Sequence, residues 1–133
     1  MAAVGTVVER VGGLDAMRVI LRDFYDRLFV DPMIGFFFAG RDKALLVERQ
    51  LQFTAAALGG DIVYEGKPIP EAHAALPILP GHFDRRHKLL GDVLDAHGVD
   101  AEAREAWLAF DRSFRRAVLK LGAEVRDEHR GRK

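Results

Sequence analysis

The sequence predicts an all-α domain, a bundle of four main helices with short connecting pieces. Three observations carry that expectation. Apolar residues recur at spacings of three and four through four long segments, which lays each set along one helix face. Glycines and prolines punctuate the chain between those segments. No stretch alternates apolar and polar residues for long enough to argue for a sheet, and no internal repeat is visible.

Each element follows from its residues. A short first segment, Thr6 to Val11, stops at Gly12-Gly13. From Leu14 the positions Met17, Ile20, Leu21, Phe24 and Leu28 form an amphipathic stripe. Asp31-Pro32 ends it, because the residue before proline is pushed out of the helical region. Met33 to Phe38 is short and aromatic, closed by Gly40. A second long helix is expected from Asp42, an N-cap, to Leu58, with Leu45, Leu46, Gln50, Phe53 and Ala57 on one face. Gly59-Gly60 breaks it. A third spans about Gly81 to His97, with Phe83, Leu90, Val93 and Leu94 inward and Gly98 as the stop. The last begins near Asp100 and places Trp107, Phe110, Phe114, Val118 and Leu121 at helical spacing, with Trp107, Phe110 and Phe114 expected to be plain core.

Composition narrows the function classes. The 133 residues suit one domain, 1–133, with a core over about 11–121 and a charged, solvated tail at 124–133. Twenty basic residues balance twenty acidic ones, so no overall field attracts nucleic acid or an anionic membrane. No apolar run reaches membrane-spanning length and no signal peptide is evident, so a soluble, cytoplasmic protein is expected. The absence of cysteine excludes disulfides, iron–sulfur clusters and thiol chemistry. Catalytic triads, histidine pairs for metals and phosphate loops are absent as well.

Among the remaining residues, His73 carries the most chemistry. It stands on the proline-bracketed run Pro68-Ile69-Pro70-Glu71-Ala72-His73-Ala74-Ala75-Leu76-Pro77. A neutral imidazole on a short segment over an aromatic pocket suits a haem iron as its protein ligand. Taken alone, such a histidine is more often a solvent-facing loop residue. Two further residues are polar among apolar neighbours. Tyr25 lies beside Ile20, Leu21, Phe24 and Leu28, so its hydroxyl needs a partner. Gln50 interrupts an apolar face, where an unsatisfied amide costs about 1–3 kcal/mol. The two could simply bond each other, or both could face a cavity.

Taken in order, Gly12-Gly13, Asp23-Phe24-Tyr25, Asp31-Pro32, Phe36-Phe37-Phe38, Gln50 and Phe53 form one pattern. It continues through Ala57-Leu58-Gly59-Gly60, Tyr64-Glu65-Gly66, His73 and His82-Phe83-Asp84. This pattern resembles the truncated haemoglobins, the two-over-two helical globins, most closely their first group, from about Val11 to Val118. The resemblance implies haem b as cofactor and His73 as the proximal iron ligand. It implies Tyr25 and Gln50 as distal residues and Phe38 against the haem face, with Leu46, Phe53, Thr54, Ile69, His82 and Phe83 around the pocket. Arg49 would reach a propionate, and the glycines would permit tight loops.

Two stretches depart from the family pattern. Asp84-Arg85-Arg86-His87-Lys88 stands where small apolar residues usually cover the ligand tunnel. A buried Arg86 without a partner is too costly, so it is expected to snorkel to the haem edge and pair with a propionate. His82 or His87 would do the same, or supply a second iron ligand. Val7-Val8 replaces a customary aromatic.

The favoured function is a haem protein for oxygen, nitric oxide and carbon monoxide, with oxygen transport, nitric oxide detoxification or peroxidase-like activity and a reductase as partner. A haem-based electron-transfer or gas-sensing protein is the alternative, and a haem-free scaffold the third.

Overall fold

The computed structural model describes residues 5–68 and 77–119. Its elements are α1 (Val7–Val11), α2 (Leu14–Val30), a 3-10 turn (Gly35–Phe38), α3 (Lys43–Ala57), α4 (Pro80–Ala96) and α5 (Ala101–Arg112). No strand occurs among the described residues. Helix α2 packs on both α3 and α4, α4 packs on α5, and α1 closes the end of α5.

The first three elements begin and end where local chemistry dictates. Thr6 Oγ1 caps α1 by accepting from the Glu9 N–H at 3.1 Å. Gly12 and Gly13 then take φ of +118° and +96°, a backbone course that side chains resist. Helix α2 buries Met17, Ile20, Leu21, Phe24, Tyr25 and Leu28. It stops at Asp31, whose Oδ2 accepts from the backbone N–H groups of Met33 and Ile34 at 3.0 and 3.1 Å. The other oxygen, Oδ1, takes Nε and Nη2 of Arg85 at 3.0 and 2.7 Å, which ties α4 to the end of α2. Val8 is buried without the aromatic usual in the family, and its N–H reaches the Leu58 carbonyl.

Helix α3 differs from the expected face. Asp42 caps it through the Leu45 N–H, but Leu45 and Ala57 are exposed. Val47, Leu51, Thr54 and Ala55 form the core-facing side instead. Leu46, Gln50 and Phe53 lie beside that stripe and face a cavity. One helix serving two apolar surroundings carries two adjacent stripes, which a single-face reading merges.

The last two helices also begin on local signals. The α4 start carries Pro80 at its first position, and His82 Nδ1 accepts the Leu79 N–H at 3.0 Å. Phe83, Leu90, Val93 and Leu94 are buried as expected. Asp100 caps α5 through the Ala103 N–H and also pairs with Arg10 of α1. The expected continuous last helix breaks after Arg112. The backbone turns at Ser113-Phe114 and is helical again at 115–119. The Ser113 hydroxyl donates to the Phe110 carbonyl at 2.6 Å, a side-chain bond that competes with helical pairing. Leu121 lies outside the described residues.

Candidate functional site

The site is a cavity of about 250 Å³ walled by α2, the 3-10 turn, α3, α4 and the residues around the 113–114 turn. Its walls are largely aromatic. Phe37 and Phe38 come from the 3-10 turn, Phe53 from α3, Phe83 from α4, and Phe110 and Phe114 from the last segment. Phe38 is held by stacking on Phe29 (5.2 Å between centroids) and by the edge of Tyr25 (6.0 Å). Phe36, the first of the three consecutive phenylalanines, is exposed instead. Phe110 and Phe114 were expected to be plain core. The 113–114 turn instead brings both against Phe53, at 5.3 and 5.0 Å, and onto the cavity.

Tyr25 and Gln50 both line this cavity. No hydrogen bond joins them among the described residues. Gln50 Nε2 donates to Thr54 Oγ1 at 2.7 Å, one turn along α3. Thr54 itself is fully buried behind the wall. Burial pushes the Tyr25 hydroxyl above its ordinary pKa, against the opposing charge of Arg86. Tyr25 is therefore a neutral hydroxyl at physiological pH. Leu46, Arg49 and His82 also lie on the wall. Arg49 donates to Gln52 Oε1 at 3.1 Å, and that same oxygen accepts the Glu65 N–H at 3.0 Å. Gln52 thus clamps the loop after α3. His73 and Ile69 lie outside the described residues.

The loop after α3 owes its path to a close approach. Tyr64 packs its ring on Phe53 (5.3 Å) and donates its hydroxyl to the Lys67 carbonyl. A side chain at position 66 would collide with that hydroxyl and the ring edge, so Tyr64 keeps this position only opposite glycine. Tyr64 also lines the cavity.

Arg86 is partnered inside the protein. Its Nη1 donates to Asp111 Oδ1 at 2.7 Å, and its guanidinium lies 5.2 Å from the Phe24 ring centroid. This replaces the expected propionate pairing as the means of satisfying its charge. Asp111 Oδ2 meets His87 Nδ1 at 2.8 Å, and the His87 ring stacks on Phe83. His87 is thus held in this pair and is not among the described residues that line the cavity. Burial alone would raise the Asp111 carboxyl. The Arg86 charge and the bonds from His87 and Arg86 outweigh burial and hold it below the usual carboxylate range. Asp111 was missed in the sequence. Its signal was an acid on the apolar face of the last helix, four residues after Trp107 and three before Phe114, opposite an unexplained arginine.

The donor set fits a flat apolar macrocycle with acidic edges. Aromatic walls supply its faces, Arg41 and Arg49 supply cationic groups on the same cavity, and His82 adds a polar imidazole. No described helix is long and apolar enough to cross a membrane.

Comparison with known proteins agrees with this geometry. The model of the bacterial-like globin family matches residues 6–120. A group 1 truncated haemoglobin of Mycolicibacterium paratuberculosis is 36% identical over 97 residues, covering 73% of this chain and 71% of its own. A group 1 truncated haemoglobin of Nostoc is 29% identical over 86% of this chain and 97% of its own. Among solved structures, the ferric truncated haemoglobin of Tetrahymena pyriformis superposes with a TM-score of 0.81 at 28% identity. That match covers 86% of this chain and 98% of the other.

Proposed function

The chain belongs to the bacterial-like globin family, within the group 1 truncated haemoglobins, and on that premise we propose that it binds haem b and, through it, oxygen and other diatomic gases. The observation that carries the reading is one cavity with aromatic walls onto which Tyr25 and Gln50 both open. When bound, haem would supply an iron site for a diatomic ligand, and His73 would be the residue that holds the iron.

The chain's own residues shape what happens there. Phe38, Phe53 and Phe83, with Leu46 beside them, line the cavity and would exclude water and hold the macrocycle by apolar contact. Ile69 belongs to the same proposed shell. Arg49 and His82 are the proposed propionate partners. Neutral Tyr25 keeps its proton and donates it in a hydrogen bond toward the ligand. Gln50, anchored by Thr54, is the second polar group. Preorganised donors in a dry cavity hold a polarised ligand more firmly than water would.

The optical spectrum tests the reading. Purified protein should show a Soret band, shift it on reduction and shift it again with carbon monoxide. His73→Ala should abolish or strongly weaken the band. An unchanged spectrum in that variant removes His73 as the ligand, and a wild type that takes up no haem removes the function.

Within this reading we also propose nitric oxide oxidation, with a cytoplasmic reductase returning the iron to its ferrous state. Oxygen-loaded protein mixed with nitric oxide should yield nitrate and ferric protein in equal amounts. Recovery of the nitric oxide unreacted would rule that activity out.

A further inference from the structure

We propose that Gln52 is a positioning residue for haem, whose amide stands between Arg49 and Glu65 and keeps the Arg49 guanidinium available to a propionate. The inference rests on the haem-binding reading and deepens it, from which cation meets a propionate to what holds that cation in place.

The burial of Gln52 calls for a reason. Among the described residues the buried polar or charged ones are Asp31, Gln52, Thr54 and Asp111. Asp31 and Asp111 are ion-paired, and Thr54 accepts the Gln50 amide. Gln52, 9% exposed, is not among the residues that line the cavity. Both ends of its amide are nonetheless bonded. Oε1 accepts from Arg49 Nη1 at 3.1 Å and from the Glu65 N–H at 3.0 Å. Nε2 donates to Glu65 Oε1 at 3.1 Å.

One amide thus touches a cation and an anion at once. Arg49 precedes Gln52 by three residues on α3, so the two are neighbours on the helix surface. Glu65 comes from the loop, thirteen residues on. A guanidinium and a carboxylate that share one amide are close enough to pair directly, and such a pair can engage two donors at a time. Direct pairing would draw Arg49 off the cavity wall and onto the loop. Gln52 gives each of them a neutral partner instead. Only Nη1 of Arg49 is bonded among the described residues, and Arg49 lines the cavity. The rest of its five-donor fork can exchange water for an acidic group that enters with the macrocycle. Gln52 acts through Arg49 and touches no part of the haem site itself.

The test compares haem with haem dimethyl ester, whose propionates are capped and uncharged, in the ferric full chain. Release of each to apomyoglobin is timed in wild type, in Gln52→Leu, and in Gln52→Asn, whose amide is one methylene short. Both variants should release haem about tenfold faster than wild type, the scale of one charge-assisted hydrogen bond. Release of the ester should stay within twofold of wild type, because it offers Arg49 no carboxylate. Adding Glu65→Gln to Gln52→Leu should restore most of the haem retention, since the competing carboxylate is gone. Haem release within twofold of wild type overturns the proposal. So does an acceleration of ester release within twofold of that for haem, which would mean that Gln52 only braces the loop. A double variant that releases haem as fast as Gln52→Leu overturns it as well. Either single variant suffices for the comparison if the other fails to load. Wild type that shows no Soret band sinks the haem reading itself, whereas wild type that loads haem and fails these comparisons sinks only this inference.

Discussion

Arg86 Nη1 donates to Asp111 Oδ1 at 2.7 Å, joining the fourth helix to the fifth along the wall of the cavity. Both residues are set among apolar neighbours, so neither tolerates loss of the other. Removing the acid leaves a largely buried guanidinium without its ion partner.

Asp111→Ala should therefore destabilise the protein by about 3 kcal/mol, the scale for breaking a buried ion pair. Urea unfolding monitored by far-ultraviolet circular dichroism measures it. A loss under about 1 kcal/mol would mean that water compensates the charge and that the pair is incidental.

Tyr25→Phe keeps the ring packed against Phe24 and Phe38 but deletes the hydroxyl. One hydrogen bond worth about 1.4 kcal/mol corresponds to about a tenfold faster release of oxygen. Stopped-flow displacement by carbon monoxide reads the rate. No acceleration would take Tyr25 out of the distal role.

Asp31 links the end of α2 to Arg85 and to the N–H groups of Met33 and Ile34. The Arg85 bond, against a smaller burial penalty, holds its carboxyl below the ordinary range. A depressed folded-state pKa contributes stability above the unfolded value of about 3.9, and that contribution is lost as pH falls through the folded value. The stability difference between wild type and Asp31→Asn should thus be full at neutral pH and shrink steadily below about pH 4. A difference that stays constant down to pH 2 would show that the charge contributes nothing.

Gly66→Ala drives a methyl into the Tyr64 hydroxyl and ring edge. The Tyr64 ring must leave Phe53 or lose its bond to the Lys67 carbonyl. Both changes act on the cavity wall, so the variant should bind haem less tightly and unfold about 1–2 kcal/mol more easily, the range for forced repacking. Haem transfer to apomyoglobin measures the first effect, and a transfer rate equal to wild type would show that this loop does not shape the pocket.

Much of the fold was legible because its signals are local. The stripe Met17, Ile20, Leu21, Phe24, Leu28 is buried as its spacing implies, and Asp42 and Asp100 cap the helices they precede. Pro32, the glycine pair at 12 and 13, and Gly98 stand at the breaks. Each of these depends on residues within one turn of each other. The last helix was misread as continuous because the Ser113 hydroxyl bond to Phe110 is a weak competitor that apolar periodicity does not register.

The inventory of the cavity was legible through the family pattern, which named Tyr25, Phe38, Leu46, Arg49, Gln50, Phe53, His82 and Phe83, all of which line it, while Arg86 lines it as a departure from that pattern. What the sequence by itself determined is therefore the set of helices, their stops and the residues available to a haem pocket. Only the tertiary structure decided that Leu45 and Ala57 face outward, that Phe110 and Phe114 join Phe53 on the wall, and that Arg86 and His87 share Asp111. Those partners lie 25 and 24 residues apart, and their meeting depends on how α4 crosses α5. Helical spacing says which side chains share a face, whereas ion pairing across that distance is set by packing, to which no local period gives access.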